Sequence, residues 1–410
     1  VLTAKERAKK ERERRLAIKA AEKERQLARK DSIFAYKDSV IRATPRVLES
    51  RFFPDSIIYK RMFIWKNDTY FNKPTLVKAD TTFNDNFTES PLFKRDVNAV
   101  YLGISGSAAQ YFNYFIREEQ QAFPFMSPYL PYTVTPQTIN NYNVKTPYTE
   151  LCYWGTLFAN KQKEETNLKF LHTQNFTPAL NFNIMYQRFG GNGMLQSEKT
   201  DDRTLALTAN YLGKRYMAQG GYIFSRVERR ENGGISDLKK YLDTIVDVRT
   251  IPVYLSDARS QMKRSTFFIS HSLGIPLNFF RKKDSLSFGE GTMAYVGHYG
   301  EYSSYSRSYN DVIALSDTTG RKLYNNNFYI NPTTSADVFK LTSFDNRFYI
   351  RLQPWAKEAI VSKLDAGIGY KILRYYAFKE NFFLTGNKHF WQNNPYLYFG
   401  ASGKFRRYFE

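Results

Sequence analysis

From about Thr146 onward the chain breaks into segments of about ten residues, the length a membrane-crossing strand needs, in which apolar side chains alternate with small or polar ones. The clearest pair is Thr204–Leu212 and Arg215–Arg226, joined by Gly213-Lys214. Leu205, Leu207, Ala209 and Tyr211 fall on one face of the first strand; Thr204, Ala206, Thr208 and Asn210 fall on the other. In the second, Tyr216, Ala218, Tyr222 and Phe224 alternate with Met217, Gln219 and Ser225. Successive side chains of a strand point to opposite faces, so each segment has one greasy and one hydrophilic side. An antiparallel transmembrane β-barrel needs that division, with lipid outside and a wet lumen inside.

Composition fits an all-β chain of this kind. The 31 Tyr and 34 Phe make it 17% aromatic, yet mean hydropathy is −0.53. No run of 18 apolar residues, the length of a membrane-crossing helix, occurs. Aromatic interface girdles around a polar lumen produce this combination. A secreted β-sandwich shares the alternation but has strands of about 5–6 residues. The chain opens without a signal-peptide pattern, as expected of a mature, exported protein.

Cys152 is the single cysteine, which excludes a disulfide framework and a thiolate metal site. His172, His271, His298 and His389 match no ligand spacing and read as lumen, girdle or loop residues; no metal and no other cofactor is expected. The formal net charge of +21 would suit nucleic acid or an anionic surface. Lys and Arg are spread over strand ends and loops with no nucleic-acid-binding motif, so the expected partner is anionic outer-membrane lipid rather than nucleic acid.

Three regions follow one another. Residues 1–36 read as a charged helical arm: Lys5–Asp31 holds 12 Lys/Arg and 6 Asp/Glu with no Gly or Pro, and Glu6–Lys10 and Glu11–Arg15 are favourable pairs. Its apolar stripe (Leu16, Ala20, Leu27) is thin, which points to a solvated spacer or to an arm that docks on a periplasmic or outer-membrane protein. Residues 37–147 are irregular, with short strand-like pieces (Met62–Trp65, Val100–Ile104) among many prolines. They read as a periplasmic or plug-like segment, or as the first barrel strands. Residues 148–410 read as the barrel.

The predicted strands are Tyr148–Ala159, Glu165–Asn175, Ala179–Arg188, Thr204–Leu212, Arg215–Arg226, Arg264–Gly274, Ser287–Tyr302, Asn346–Gln353, Ile360–Arg374 and Pro395–Phe405. Their connections alternate. Thr177-Pro178, Gly213-Lys214 and Pro354–Ala359 are short, Ile275–Leu286 is intermediate, and 189–203, 227–263 and 303–345 are long. Outer-membrane barrels have short periplasmic turns and longer external loops. The first strand is therefore expected to run outward, leaving the arm in the periplasm. The last, inward strand ends Tyr408-Phe409-Glu410 rather than on the terminal aromatic residue that usually closes such barrels, so further strands are expected to follow.

The stretch Val100–Gly234 resembles the putative-porin family of Bacteroidetes-type outer-membrane β-barrels. The similar stretches are Tyr101-Leu102-Gly103 through Gly106-Ser107, Lys145-Thr146-Pro147-Tyr148-Thr149-Glu150-Leu151, His172-Thr173-Gln174-Asn175 and Glu231-Asn232-Gly233-Gly234-Ile235. Ser270-His271-Ser272-Leu273-Gly274 also looks like the family. The resemblance covers roughly two thirds of the chain, implies an outer-membrane barrel and brings no functional residues with it.

No catalytic set emerges, and no enzyme is expected. Ser270-His271-Ser272 places serine beside histidine, but neighbours on a strand face opposite sides, and His271 reads as a lumen residue. No helix follows Gly190-Gly191-Asn192-Gly193, and both it and Asn232-Gly233-Gly234 read as turns in external loops. The triplets Asp31-Ser32-Ile33, Asp38-Ser39-Val40 and Asp55-Ser56-Ile57 look like O-glycosylation acceptors at Ser32, Ser39 and Ser56; Asp-Ser turns or helix caps are the plainer explanation. Asn181, Asn183, Gln187, Thr208, Asn210, Gln219 and Lys371 are the candidate lumen-facing residues. Leu205, Leu207, Tyr216, Tyr222, Phe182 and Ile184 are the lipid-side candidates. The expected function is a passive porin-like pore for small solutes with a mild preference for anions. The alternative is a structural subunit of an outer-membrane complex for protein export, insertion or surface display, motivated by the charged arm.

Overall fold

A computed structural model describes residues 4–43, 50, 52–53, 55–58, 60–79, 90, 92–93, 96–116, 123–156, 165–242, 246–276, 293–312, 334–353, 363–378 and 389–402. Helix α1 (Ala4–Ala43) is 40 residues long, about 60 Å at 1.5 Å per residue. It runs past the expected end near Tyr36 because nothing before Pro45 interrupts it. From Lys9 onward its side chains are almost all exposed. At its root, Asp38 pairs with Arg42 at 2.8 Å and with Arg61, while Lys145 Nζ donates to the Arg42 carbonyl at 2.6 Å.

A small antiparallel sheet of order β2-β1-β5 follows, built from β1 (Met62–Asn67), β2 (Pro74–Val77) and β5 (Asn141–Val144). Strands β3 (Ala99–Tyr101) and β4 (Ala109–Tyr111) form a hairpin, and Pro124–Tyr132 is a tight three-residue-per-turn helix.

The remaining ten strands make one antiparallel meander in which every strand pairs with its sequence neighbours. They are β6 (Tyr148–Gly155), β7 (Glu165–Asn175), β8 (Leu180–Asn192), β9 (Lys199–Leu212), β10 (Tyr216–Glu231), β11 (Ala258–Pro276), β12 (Met293–Val312), β13 (Thr334–Gln353), β14 (Lys363–Phe378) and β15 (His389–Ser402). The expected closed ring is not made: among the described residues β6 and β15 are unpaired edges of an open sheet. Parts of several expected strands, such as 157–159 and 403–405, lie outside the described residues.

Several strands are longer than their apolar patterns. β8 and β9 run to Asn192 and from Lys199, so the long loop expected at 189–203 shrinks to six residues. The reason is that ladder pairing continues through charged positions such as Arg188–Arg203, beyond the stretch where alternation of hydropathy is visible. Gly190 and Gly191 thus lie in a strand rather than a turn, and a Cβ on Gly190 would sit 2.7 Å from the Thr200 carbonyl. Gly233 and Gly234 do occupy a turn, at φ +68° and +90°.

The two faces of the large sheet differ in their surroundings. Leu207, Phe267, Ile269, Phe348 and Ile368 stand exposed on the outer face. The inner face is covered by chain from within residues 52–147. Phe53, Ile58, Phe63 and Trp65 pack with Leu212 and Met217; Phe123 and Met126 pack with Val227, Met262, Leu341 and Leu373. Ile64, Tyr142 and Val144 close over Leu171, and Ile139 over Ala206, Ile223 and Phe268. Burial of such side chains supplies the driving force that holds the segment on the wall.

Candidate functional site

The inner face of the sheet is where polar and charged side chains converge. Asn181, Asn183, Gln187, Thr208, Asn210 and Gln219 are all buried, with 0–8% of their surface exposed. A ladder of amide and hydroxyl groups crosses β7, β8 and β9: Asn181 Nδ2 donates to Thr173 Oγ1 at 2.9 Å, Asn210 Nδ2 to Asn181 Oδ1 at 3.3 Å and Asn183 Nδ2 to Thr208 Oγ1 at 3.3 Å. Lys371 lies opposite Asp345 and is half-buried. Phe182 and Ile184 are exposed on the outer face, as are Leu207 and Tyr216, while Leu205 and Tyr222 are half-buried there.

Several of these polar groups hold the inserted segment by its backbone. Gln187 Nε2 donates to the Tyr132 carbonyl at 2.7 Å, and Asn210 Nδ2 to the Tyr142 carbonyl at 3.1 Å. Thr200 Oγ1 reaches the Ser105 carbonyl at 2.6 Å, and Gln219 accepts from Asn141. A segment with little regular structure leaves carbonyls without sheet or helix partners, and each needs a donor when buried. The wall supplies them.

Three arginines are the strongest of these donors. Arg229 is buried with Asp202 at 2.5 and 2.9 Å, donates to the Gly106 carbonyl, and lies 4.6 Å from the centre of the Tyr129 ring. Gly106 has φ +81°, and a Cβ there would stand 3.1 Å from Asp202 Oδ2. The backbone angle there favours glycine, and a side chain would crowd the Asp202 carboxylate. Arg347, paired with Asp345 at 2.7 Å, donates to Thr69 O and Oγ1, both at 3.2 Å, and stacks 4.4 Å from the Tyr70 ring. Arg351, paired with Asp365 at 2.7 Å, donates to the Phe71 carbonyl at 2.7 Å.

The turn that Arg347 and Arg351 grip is itself preformed. Asp68 accepts from the backbone N–H of Tyr70 and Phe71 at 3.2 and 3.0 Å. Asn72, at φ 50°, donates to Ser272 Oγ at 3.2 Å. Burial pushes the phenols of Tyr132 and Tyr142 up from their ordinary range, with the Asp202 carboxylate adding to the effect at Tyr132. Both stay neutral wherever the protein is folded near neutral pH.

The arginine clamps are absent from the sequence-derived site residues. The signal was present: Asp202 is in phase with Thr204, and Arg229 with Val227 and Ser225, so strand alternation turns both inward. His271, by contrast, is not an inner residue. It faces out beside His298, with Nε2 to Nδ1 at 3.3 Å, and His298 Nε2 lies 3.2 Å from Asn346 Oδ1. Alternation on β11 puts Ser270 and Ser272 inside and their neighbour outside. Ser32 and Ser39 are exposed on α1 and donate to the Arg29 and Tyr36 carbonyls at 2.9 and 2.7 Å; Ser56 is exposed on the short helix Asp55–Ile58. Among the described residues no helix is long and apolar enough to cross a membrane, and no three metal-ligating side chains gather.

A meander of long antiparallel strands, apolar outside and polar inside around its own N-terminal chain, defines the wall of a barrel-type porin. The family model described as Putative porin matches residues 61–408, and the chain belongs to that family. No match was found among curated proteins or among solved structures. The family gives the chain a porin-like role in the outer membrane.

Proposed function

We propose that the chain is a plugged passive pore for small anionic solutes, with the segment spanning residues 60–147 as the plug and the N-terminus in the periplasm. One observation carries the reading: donors on the wall satisfy plug carbonyls at Thr69, Phe71, Gly106, Tyr132 and Tyr142. The same side chains that would line a wet lumen are thereby occupied. A net charge of +21 favours anions once the plug shifts. In planar bilayers the full chain should be nearly silent in plain buffer. It should then conduct reversibly, chloride ahead of potassium, in urea too dilute to unfold the strands. A wide steady conductance without urea would remove the plug from this account, and cation selectivity would remove the anion preference.

A second reading, a structural subunit of an outer-membrane complex, is favoured by α1. A long helix exposing Leu16, Leu27 and Phe34 gains little from its own short-range contacts and is steadied by a partner. Deleting Val1–Lys30 is expected to leave a folded, heat-resistant barrel that no longer retains copurifying proteins after mild solubilisation. Loss of membrane insertion instead would make the arm a biogenesis element. Ser32, Ser39 and Ser56, exposed on that same side of the chain sequence, are the proposed O-glycosylation sites.

A further inference from the structure

Cross-strand register lines up charges on the outer face of β8–β11. Arg188 pairs with Arg203, Arg203 with Arg226, and Arg226 with Lys263, a row of four cations across four adjacent strands. Two residues further along the strands, Asp201 faces Glu228. Two residues beyond that, Lys199 faces Arg230 and Arg230 faces Arg259. Strand spacing and rise put these three rows within about 15 Å by 15 Å.

Like charges directly opposite one another destabilise a sheet. These two carboxylates, with Asp257 at 3.6 Å from Arg259, relieve only part of the repulsion. Asp201 binds Arg188 at 3.0 Å and Arg203 at 2.5 Å, and Glu228 binds Arg226. Lys199 and Arg230 have no acidic partner among the described residues, and Arg226 Nε is buried without an acceptor there. Lys199, Asp201, Arg203, Arg226, Glu228, Arg230 and Arg259 line one open groove. The patch has spare donors and unbalanced positive charge, which together call for an anion.

Its position says which anion. The next row down the same strands is Tyr186, Leu205 and Phe224, followed by Ile184, Leu207, Tyr222 and Phe267. The outer wall therefore changes from aliphatic and aromatic rings to four cations within one row. The patch also lies at the end of the strands away from the Gly213 turn and the root of α1. We propose that this patch binds the phosphorylated headgroup of an outer-membrane lipid, whose acyl chains lie on the apolar rows beneath. Guanidinium forks donate paired N–H bonds to phosphate oxygens, and successive cations about 5 Å apart suit a headgroup bearing more than one phosphate. The assignment rests on the reading that the outer face lies against lipid.

The test uses the full chain in neutral detergent and native mass spectrometry, titrated with a bisphosphorylated, acylated diglucosamine lipid, with phosphatidylcholine and with inorganic phosphate. The bisphosphorylated lipid should bind at least tenfold more tightly than phosphatidylcholine. The triple variant R203Q/R226Q/K263Q should lose that advantage, whereas K214Q/R215Q, at the opposite end, should keep it. If the triple variant fails to fold, K199Q/R230Q provides the same test, because it removes repulsion between partnerless cations; it should bind several-fold more weakly. Equal binding by variant and parent, or full displacement by millimolar inorganic phosphate, would overturn the headgroup assignment. Quenching of the outer tyrosines by bromine-labelled acyl chains reports lipid contact separately, so loss of that signal would indict the underlying reading alone.

Discussion

Arg229→Ala is expected to lower the stability of the folded protein by about 3–5 kcal/mol, the usual cost of leaving one member of a buried ion pair alone. Asp202 is 1% exposed and would lose both guanidinium bonds, while the Gly106 carbonyl would lose a donor. Urea titration followed by loss of the heat-resistant gel band measures the effect. The double variant R229M/D202L should recover most of it, since replacing a buried pair by apolar groups of similar size is often neutral. If R229A alone were as stable as the parent, the pair would be decorative. Protease cleavage within 96–116 should rise in the single variant, because that stretch loses its anchor.

The second large effect falls on conduction. R347A/R351A removes three charge-assisted bonds to the turn between β1 and β2, two at Thr69 and one at Phe71. At roughly 1.5–3 kcal/mol for each such bond, the open fraction in bilayers should rise at least a hundredfold. The lysine versions keep the charge but lose the planar fork, and should fall between parent and alanine. Tyr396 Oη still donates to Asp345 at 2.8 Å, so that carboxylate keeps a partner in the variant. Conductance unchanged in R347A/R351A would show that the turn does not gate the pathway.

Much of the wall was legible because period-two alternation is a local signal. Leu205, Leu207, Thr208 and Asn210 can be sorted into faces without knowing any contact. Strand ends were less legible: Lys199–Arg203 carries charge on the outer face above the apolar rows, and charge there hides the alternation that pairing continues. The site was harder still. Arg347 meets Thr69, and Arg351 meets Phe71, across 278 and 280 residues. A pattern that says "inward" cannot say what is inside. The inserted segment gives little periodic signal of its own, because its longest strand among the described residues is the six-residue β1 and its carbonyls bond to side chains of the wall. His271 reads as inward in the sequence for a related reason: hydropathy suggests a wet side for histidine, whereas the phase of β11 places it among Phe267, Ile269 and Leu273.

The root of α1 has a mechanical consequence. The helix is fastened by Arg61 and Lys145, at the neighbouring ends of β1 and β5. Tension along the helix would therefore enter the small sheet at that corner and travel along β1 to the turn gripped by Arg347 and Arg351. The wall bonds would be loaded one after another, as in peeling, rather than together, as in shear. Peeling needs far less force than shear for the same set of bonds, so a modest tug on the exposed helix could do what bulk solvent cannot.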